Sequence, residues 1–163
     1  MSDILFALGV LIDTLGLVIW AGGEVWITVF VAKGQKSQKP HGRAFVLEVM
    51  PTINKMMWSG LVLVLIGGAV RIIGANAVGI YSDFGNLWGA MMIIKHALIV
   101  VLVIDSIIIT KKLSPVIEAN APGPDSPPNE KFQRAMGMLE KLSKTNLFLT
   151  ILVIVISVGA VTI

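Results

Sequence analysis

The sequence predicts an all-α integral membrane protein: a four-helix antiparallel bundle in a single domain. Three observations carry that prediction. The 163 residues are 55% hydrophobic and only 14% charged, where a soluble domain carries about a quarter charged residues. Four apolar runs, at residues 4–32, 52–75, 87–113 and 146–163, suffice to cross a bilayer core of about 30 Å at about 1.5 Å per helical residue. The basic residues gather in the connections at 33–50 and 114–145, which the positive-inside rule places in the cytoplasm.

Composition also excludes. The isoelectric point near 9.3 arises from loop lysines flanking apolar spans, so it marks a membrane surface and argues against nucleic-acid binding. The chain has no cysteine, which rules out disulfides, thiolate metal sites and iron–sulfur ligation by its own side chains. Its first residues, MSDILFALGV, lack a basic lead-in and a clear cleavage site, so they read as a retained span rather than a signal peptide.

In span one, Gly9, Asp13, Gly16, Trp20, Gly23 and Ile27 recur by four and three, a seam whose small residues let helix backbones approach closely in lipid. Residues 33–43 form a polar loop with four basic residues and no acidic one. Residues 44–50 read as interfacial, and Pro51 suits the first turn of span two, where its missing N–H is not needed. Met57, Gly60, Val64, Gly67 and Arg71 repeat the spacing in span two; Lys55 and Arg71, near its ends, are placed to snorkel. Tyr81, Phe84 and Trp88 form an interfacial aromatic anchor before span three. The stretch EANAPGPDSPPNE reads as a flexible linker. Residues 131–144 are amphipathic and either lie on the membrane surface or extend span four into water. In span four Asn146, Thr150, Val153, Ser157 and Ala160 keep the same spacing. The consistent topology for a prokaryotic plasma membrane has both termini outside and both basic loops inside.

That topology assigns depths to the intramembrane polar residues Asp13, Glu24, Arg71, Lys95 and Asp105. Asp13, Lys95, His96 and Arg71 form an outer layer; Glu24, Asp105, Lys55 and Asn54 form one nearer the cytoplasm. An unpaired charge at the centre of a span costs about 2.5–3.5 kcal/mol, so opposite charges at matched depth should pair, Asp13 with Lys95 above all. Such pairs can simply set helix register, or they can form a relay or ligand site. His96, with Met92 four residues before it and Met91 adjacent, offers imidazole and thioether donors that suit copper(I) or, less readily, haem. Methionines in apolar helices also serve as gap-fillers. His41, in the basic loop, reads as solvated. No catalytic constellation is apparent, so the chain reads as more a non-enzyme than an enzyme.

The stretches LIDTLGLVIWAGGEVWITVFV, WGAMMIIKHALIVVLV and SKTNLFLTILVIV together resemble the four-helix membrane module of the copper-resistance D family. Its relatives include the HemJ-type protoporphyrinogen oxidases. The shared features are an apolar stretch ending in Trp, a small residue and Gly-Gly, a Lys early in span three, and a polar entry to span four. Relatives often carry a His seven residues before the span-one Trp, where this chain has Asp13. The resemblance implies copper handling within the bundle. Two alternatives stand beside it. One is a non-catalytic structural subunit of a larger membrane complex, or of a homo-oligomer. The other is a haem-binding oxidase of the HemJ type, whose functional His and Lys correspond here to Asp13 and Lys95.

Overall fold

The computed structural model describes residues 2–31, 40–74, 86–123 and 126–159. Among them every regular element is helical: α1 (Ser2–Trp26), α2 (Pro40–Gly74), α3 (Leu87–Ile108), α4 (Ser114–Ala119) and α5 (Glu130–Gly159). Wide π-helical turns, Ile27–Val31 and Ile109–Leu113, prolong α1 and join α3 to α4. Four helices are long and apolar enough to cross a membrane: Ile4–Val29, Leu47–Gly74, Leu87–Ala119 and Glu130–Gly159. They form an all-α membrane bundle, with large apolar side chains such as Leu11, Leu65, Val100 and Val155 on its outer surface. Tyr81, Phe84, Ala160 and the loop lysines 33, 36 and 39 lie outside the described residues.

The α1–α2 pair is packed backbone to backbone. A Cβ added to Gly16 would fall 2.6 Å from Val64 N and 2.7 Å from the Gly60 carbonyl oxygen. One added to Gly60 would fall 2.8 Å from Trp20 N. Added at Gly67 or Gly9, it would strike the backbone of Asp13 or Arg71. The partners run in opposite order along the two helices, which makes them antiparallel. Lipid gives no hydrophobic gain for helix association, so this close approach of small residues is the driving contact. Gly22 and Gly68, one residue off the seam, face open space.

Helix α2 begins well before Pro51 and runs through it. Residues 44–50 are therefore part of this helix, and Pro51 is not a first-turn residue. There the helix forfeits one backbone hydrogen bond and the proline ring crowds the carbonyl of Leu47, four residues earlier. Pro115 instead occupies the first turn of α4, the position where proline fits a helix.

Helix α5 is one continuous rod. Its 30 residues span about 45 Å, so residues 131–144 continue span four as the same helix rather than forming a separate one. There Phe132, Ala135, Met136 and Leu139 bury against a core that includes Ile109, Leu113 and Ile117. The proline-rich linker is pinned rather than free at its described ends. Asn129 caps α5 by accepting from Phe132 N–H at 2.8 Å, and its amide donates to Asn120 Oδ1 at 3.3 Å. Two long-range bonds tie α2 to the third rod: Trp58 Nε1 donates to Thr110 Oγ1 at 3.1 Å and Asn54 Nδ2 to Ser114 Oγ at 3.3 Å. Lys111, Lys112, Lys131, Lys141 and Lys144 are exposed at this same, basic end.

The glycine seam yields a direct test. Gly60→Leu should destabilise the solubilised protein by about 1–3 kcal/mol through overpacking, read as a lower thermal midpoint. Gly68→Leu should change it by no more than about 0.5 kcal/mol, as for an ordinary surface site.

Candidate functional site

Asp13 and Lys95 meet in the half of the bundle away from the lysine-rich end. Asp13 lies on the α1 seam between Gly9 and Gly16, and Lys95 sits on α3 in line with Met92, Ile99 and Leu102, all buried. Lys95 Nζ donates to Asp13 Oδ2 at 2.5 Å, with both side chains at most 4% exposed. This is the pairing that matched depth calls for. The carboxylate's other oxygen, Oδ1, has no partner among the described residues.

Arg71 joins this layer from α2 and departs from the sequence expectation. It is 3% exposed and does not snorkel. Gly9 leaves room for the α2 backbone at Arg71, and the guanidinium carbon lies 5.2 Å from the Phe6 ring centroid, a cation–π stack. No ion pair to Arg71 forms among the described residues, and its Nε and Nη2 have no acceptor. By formal charge the layer holds two cations and one anion.

Two cavities flank it. The larger, about 290 Å³, lies between α1, α2 and the end of α5; Asp13, Arg71 and Ser157 supply its polar wall, and Val10, Leu17 and Ile154 part of its apolar wall. Thr14, Val18 and Val158 at its margin are exposed, so it opens laterally on the lipid-facing surface. The smaller, about 170 Å³, lies between α2 and α3 and is lined by Arg71, Met92, Lys95 and His96 among others. The cluster thus separates two lateral openings.

The metal candidates are divided. His96 is exposed, and its Nδ1 lies 2.6 Å from the Met92 carbonyl oxygen. A carbonyl only accepts, so Nδ1 carries the hydrogen and Nε2 keeps its lone pair. Met92 is buried and shares the smaller cavity with His96. Met91 points elsewhere, its methyl beside Gly159 of α5. Among the described residues no group of three or more His, Asp or Glu side chains converges as a metal cage.

The inner layer is also rearranged. Glu24 is fully buried, and its partner is neither Lys55 nor Asn54. Asn146 Nδ2 donates to Glu24 Oε1 at 3.2 Å. Lys55 is exposed, Asn54 is bonded to Ser114, and Asp105 is half-buried. Sequence reasoning placed Asn146 on the span-four seam but missed it as Glu24's partner. The available signal was that Glu24 and Asn146 fall level in an antiparallel α1–α5 register.

Breaking the ion pair from one side should be costly. Lys95→Met removes the only ion-pair partner of Asp13 among the described residues, and a loss of about 3–5 kcal/mol is expected, as for other buried pairs. The double variant Asp13→Leu with Lys95→Met should recover most of it, measured by thermal or denaturant unfolding of solubilised protein.

Comparison with protein-family models, curated proteins and solved structures gives no match.

Proposed function

We propose that this chain is an intramembrane binding protein for a lipid-soluble ligand bearing a carboxylate, taken up laterally into the outer-half cavity. The observation that carries the reading is Arg71. Its guanidinium is buried beside an otherwise apolar cavity, has two donor atoms without an acceptor among the described residues, and makes no ion pair with Asp13, whose Oδ2 is held by Lys95. A buried cation without an anion is costly in hydrocarbon, and a ligand carboxylate meets the forked guanidinium with charge-assisted hydrogen bonds. The apolar wall accepts the body of the ligand. Ser157 Oγ, without a partner among the described residues, can donate a further hydrogen bond at the same wall.

A tetrapyrrole with propionate side chains belongs to this ligand class, which connects the reading to the HemJ-type resemblance. The Asp13–Lys95 pair beside it supplies one proton donor and one acceptor. A second reading, copper handling, is supported by His96 Nε2 and Met92 lining one cavity; in it, His96→Ala abolishes copper retention by the purified chain. In either reading the lysine-rich end faces the cytoplasm by the positive-inside rule.

The main test uses a porphyrin dicarboxylate and its dimethyl ester, titrated against the protein in nanodiscs and followed by absorbance. The free acid should bind wild type about tenfold or more tightly than the ester, since a hydrogen bond to a charged group contributes about 1.5–3 kcal/mol. Arg71→Gln should bring the ratio close to one. Equal binding of acid and ester by wild type would overturn the reading.

A further inference from the structure

The α1–α5 interface carries a second polar site, independent of the ligand cavity. Its register is set by the Glu24–Asn146 contact and agrees with Asp13 and Ser157 lining the same cavity. Between them the same antiparallel register sets Trp20 opposite Thr150 and Leu17 opposite Val153. One turn beyond Glu24, toward the basic end, come Thr28 on the π-helical turn and Ser143 on α5. Trp20 Nε1, Glu24 Oε2, Thr28 Oγ1, Ser143 Oγ, Asn146 Oδ1 and Thr150 Oγ1 are all buried without a partner among the described residues.

The Glu24–Asn146 pair contains a specific imbalance. One hydrogen bond joins Nδ2 to Oε1, and the two remaining oxygens, Oε2 and Oδ1, are both acceptors when the carboxyl is ionised. A single hydrogen on Oε2 converts it to a donor, and a neutral carboxyl and a carboxamide then close a ring of two hydrogen bonds. Among the described residues no basic side chain forms an ion pair with Glu24. From α3 the charged group acting on it is Asp105, an acid. From α5 the groups level with it are Asn146, Ser143 and Thr150, and the nearby Lys144 is exposed and paired with Glu140 at 2.6 Å. From α2, Met57 packs at Gly23. An ionised Glu24 would therefore be a lone charge at full burial, the costly state in a membrane interior.

We propose that Glu24 is an exchangeable proton-binding site, loaded from the basic end past Ser143 and Thr28. A proton from water adds to Oε2, neutralises the carboxylate and returns by the same route; no bond other than O–H forms or breaks. The unpartnered hydroxyls of Ser143 and Thr28 give water a hydrogen-bonded way in. On the outer side Thr150 and Trp20 continue the polar seam by one rung. Leu17 and Val153 then close it with an apolar rung, so the site is insulated from Asp13 and Lys95.

Infrared spectroscopy of the full chain in nanodiscs, in sodium-free buffer, tests this. Wild type should show the carbonyl stretch of a neutral buried carboxylic acid that shifts on transfer to heavy water. Glu24→Gln should abolish the band while melting near wild type, because a glutamine amide still pairs with Asn146; Asp105→Asn should leave the band in place. Ser143→Ala with Thr28→Val should slow deuterium exchange of the band severalfold, whereas Ser157→Ala, beyond the apolar rung, should not. Absence of the band, or its survival in Glu24→Gln, would overturn the proton site. Loss of the band on adding sodium would overturn it in favour of a monovalent cation held by the Glu24, Asn146 and Thr150 oxygens. Unchanged exchange in the Ser143/Thr28 variant would overturn the loading route.

Discussion

A charge placed in hydrocarbon must be answered within the bundle, and the Asp13–Lys95 pair is where this protein meets that demand most completely. The pair fixes the rotation of α3 about its axis and its height relative to α1. A one-residue slip in either helix turns one partner by about 100° and leaves both charges unmatched. The ion pair thus sets register between helices that the glycine seam does not join.

Helix α1 is the hub through which these constraints act. Toward α2 it presents Gly9, Gly16 and Gly23, and the backbones come into direct contact. Toward α3 it presents Asp13, and toward α5 it presents Glu24. Each interface uses a different physical device: steric closeness, charge pairing and amide hydrogen bonding. The first two are strong enough to position a helix. The third leaves acceptors over, and the α1–α5 interface is where the larger cavity and most of the unpartnered buried oxygens lie. Specialisation of this kind keeps a rigid half of the bundle beside a looser half, the arrangement that ligand and proton sites require.

Much of this architecture was legible in the sequence because lipid imposes simple rules. Apolar length marked the spans, small residues by fours and threes marked the seams, and matched depth brought Asp13 to Lys95. The rules failed where two outcomes had similar cost. Arg71 lies close enough to a span end to snorkel, and only the gap left by Gly9 together with the Phe6 ring draws it inward. Glu24 was assigned to a basic partner because charge dominates such reasoning. Asn146 meets it instead because α5 is one straight rod with its own register. Pro51 reads as a helix start because a proline inside a helix costs about 3 kcal/mol, a cost that burial of Met50, Ile53 and Met57 outweighs here. The π-helical turns left no sign in the residue pattern.

The unmatched groups are best understood together. Arg71 is a cation level with Gly9 on α1, and Glu24 is an acid about fifteen residues further along, roughly 22 Å away at helical rise. At an effective dielectric of about 20, charges so separated attract by less than about 1 kcal/mol. Burying each costs about 2.5–3.5 kcal/mol on insertion scales. They therefore cannot stabilise one another, and each must find its complement locally. For Arg71 the proposed complement is an anion carried by a lipid-soluble body that enters through a lateral cavity. For Glu24 the proposed complement is a proton, passed by way of the Ser143 and Thr28 hydroxyls near the basic end. The same chain thus holds two charges of opposite sign whose partners arrive from different phases, and the Leu17–Val153 rung keeps the two routes apart.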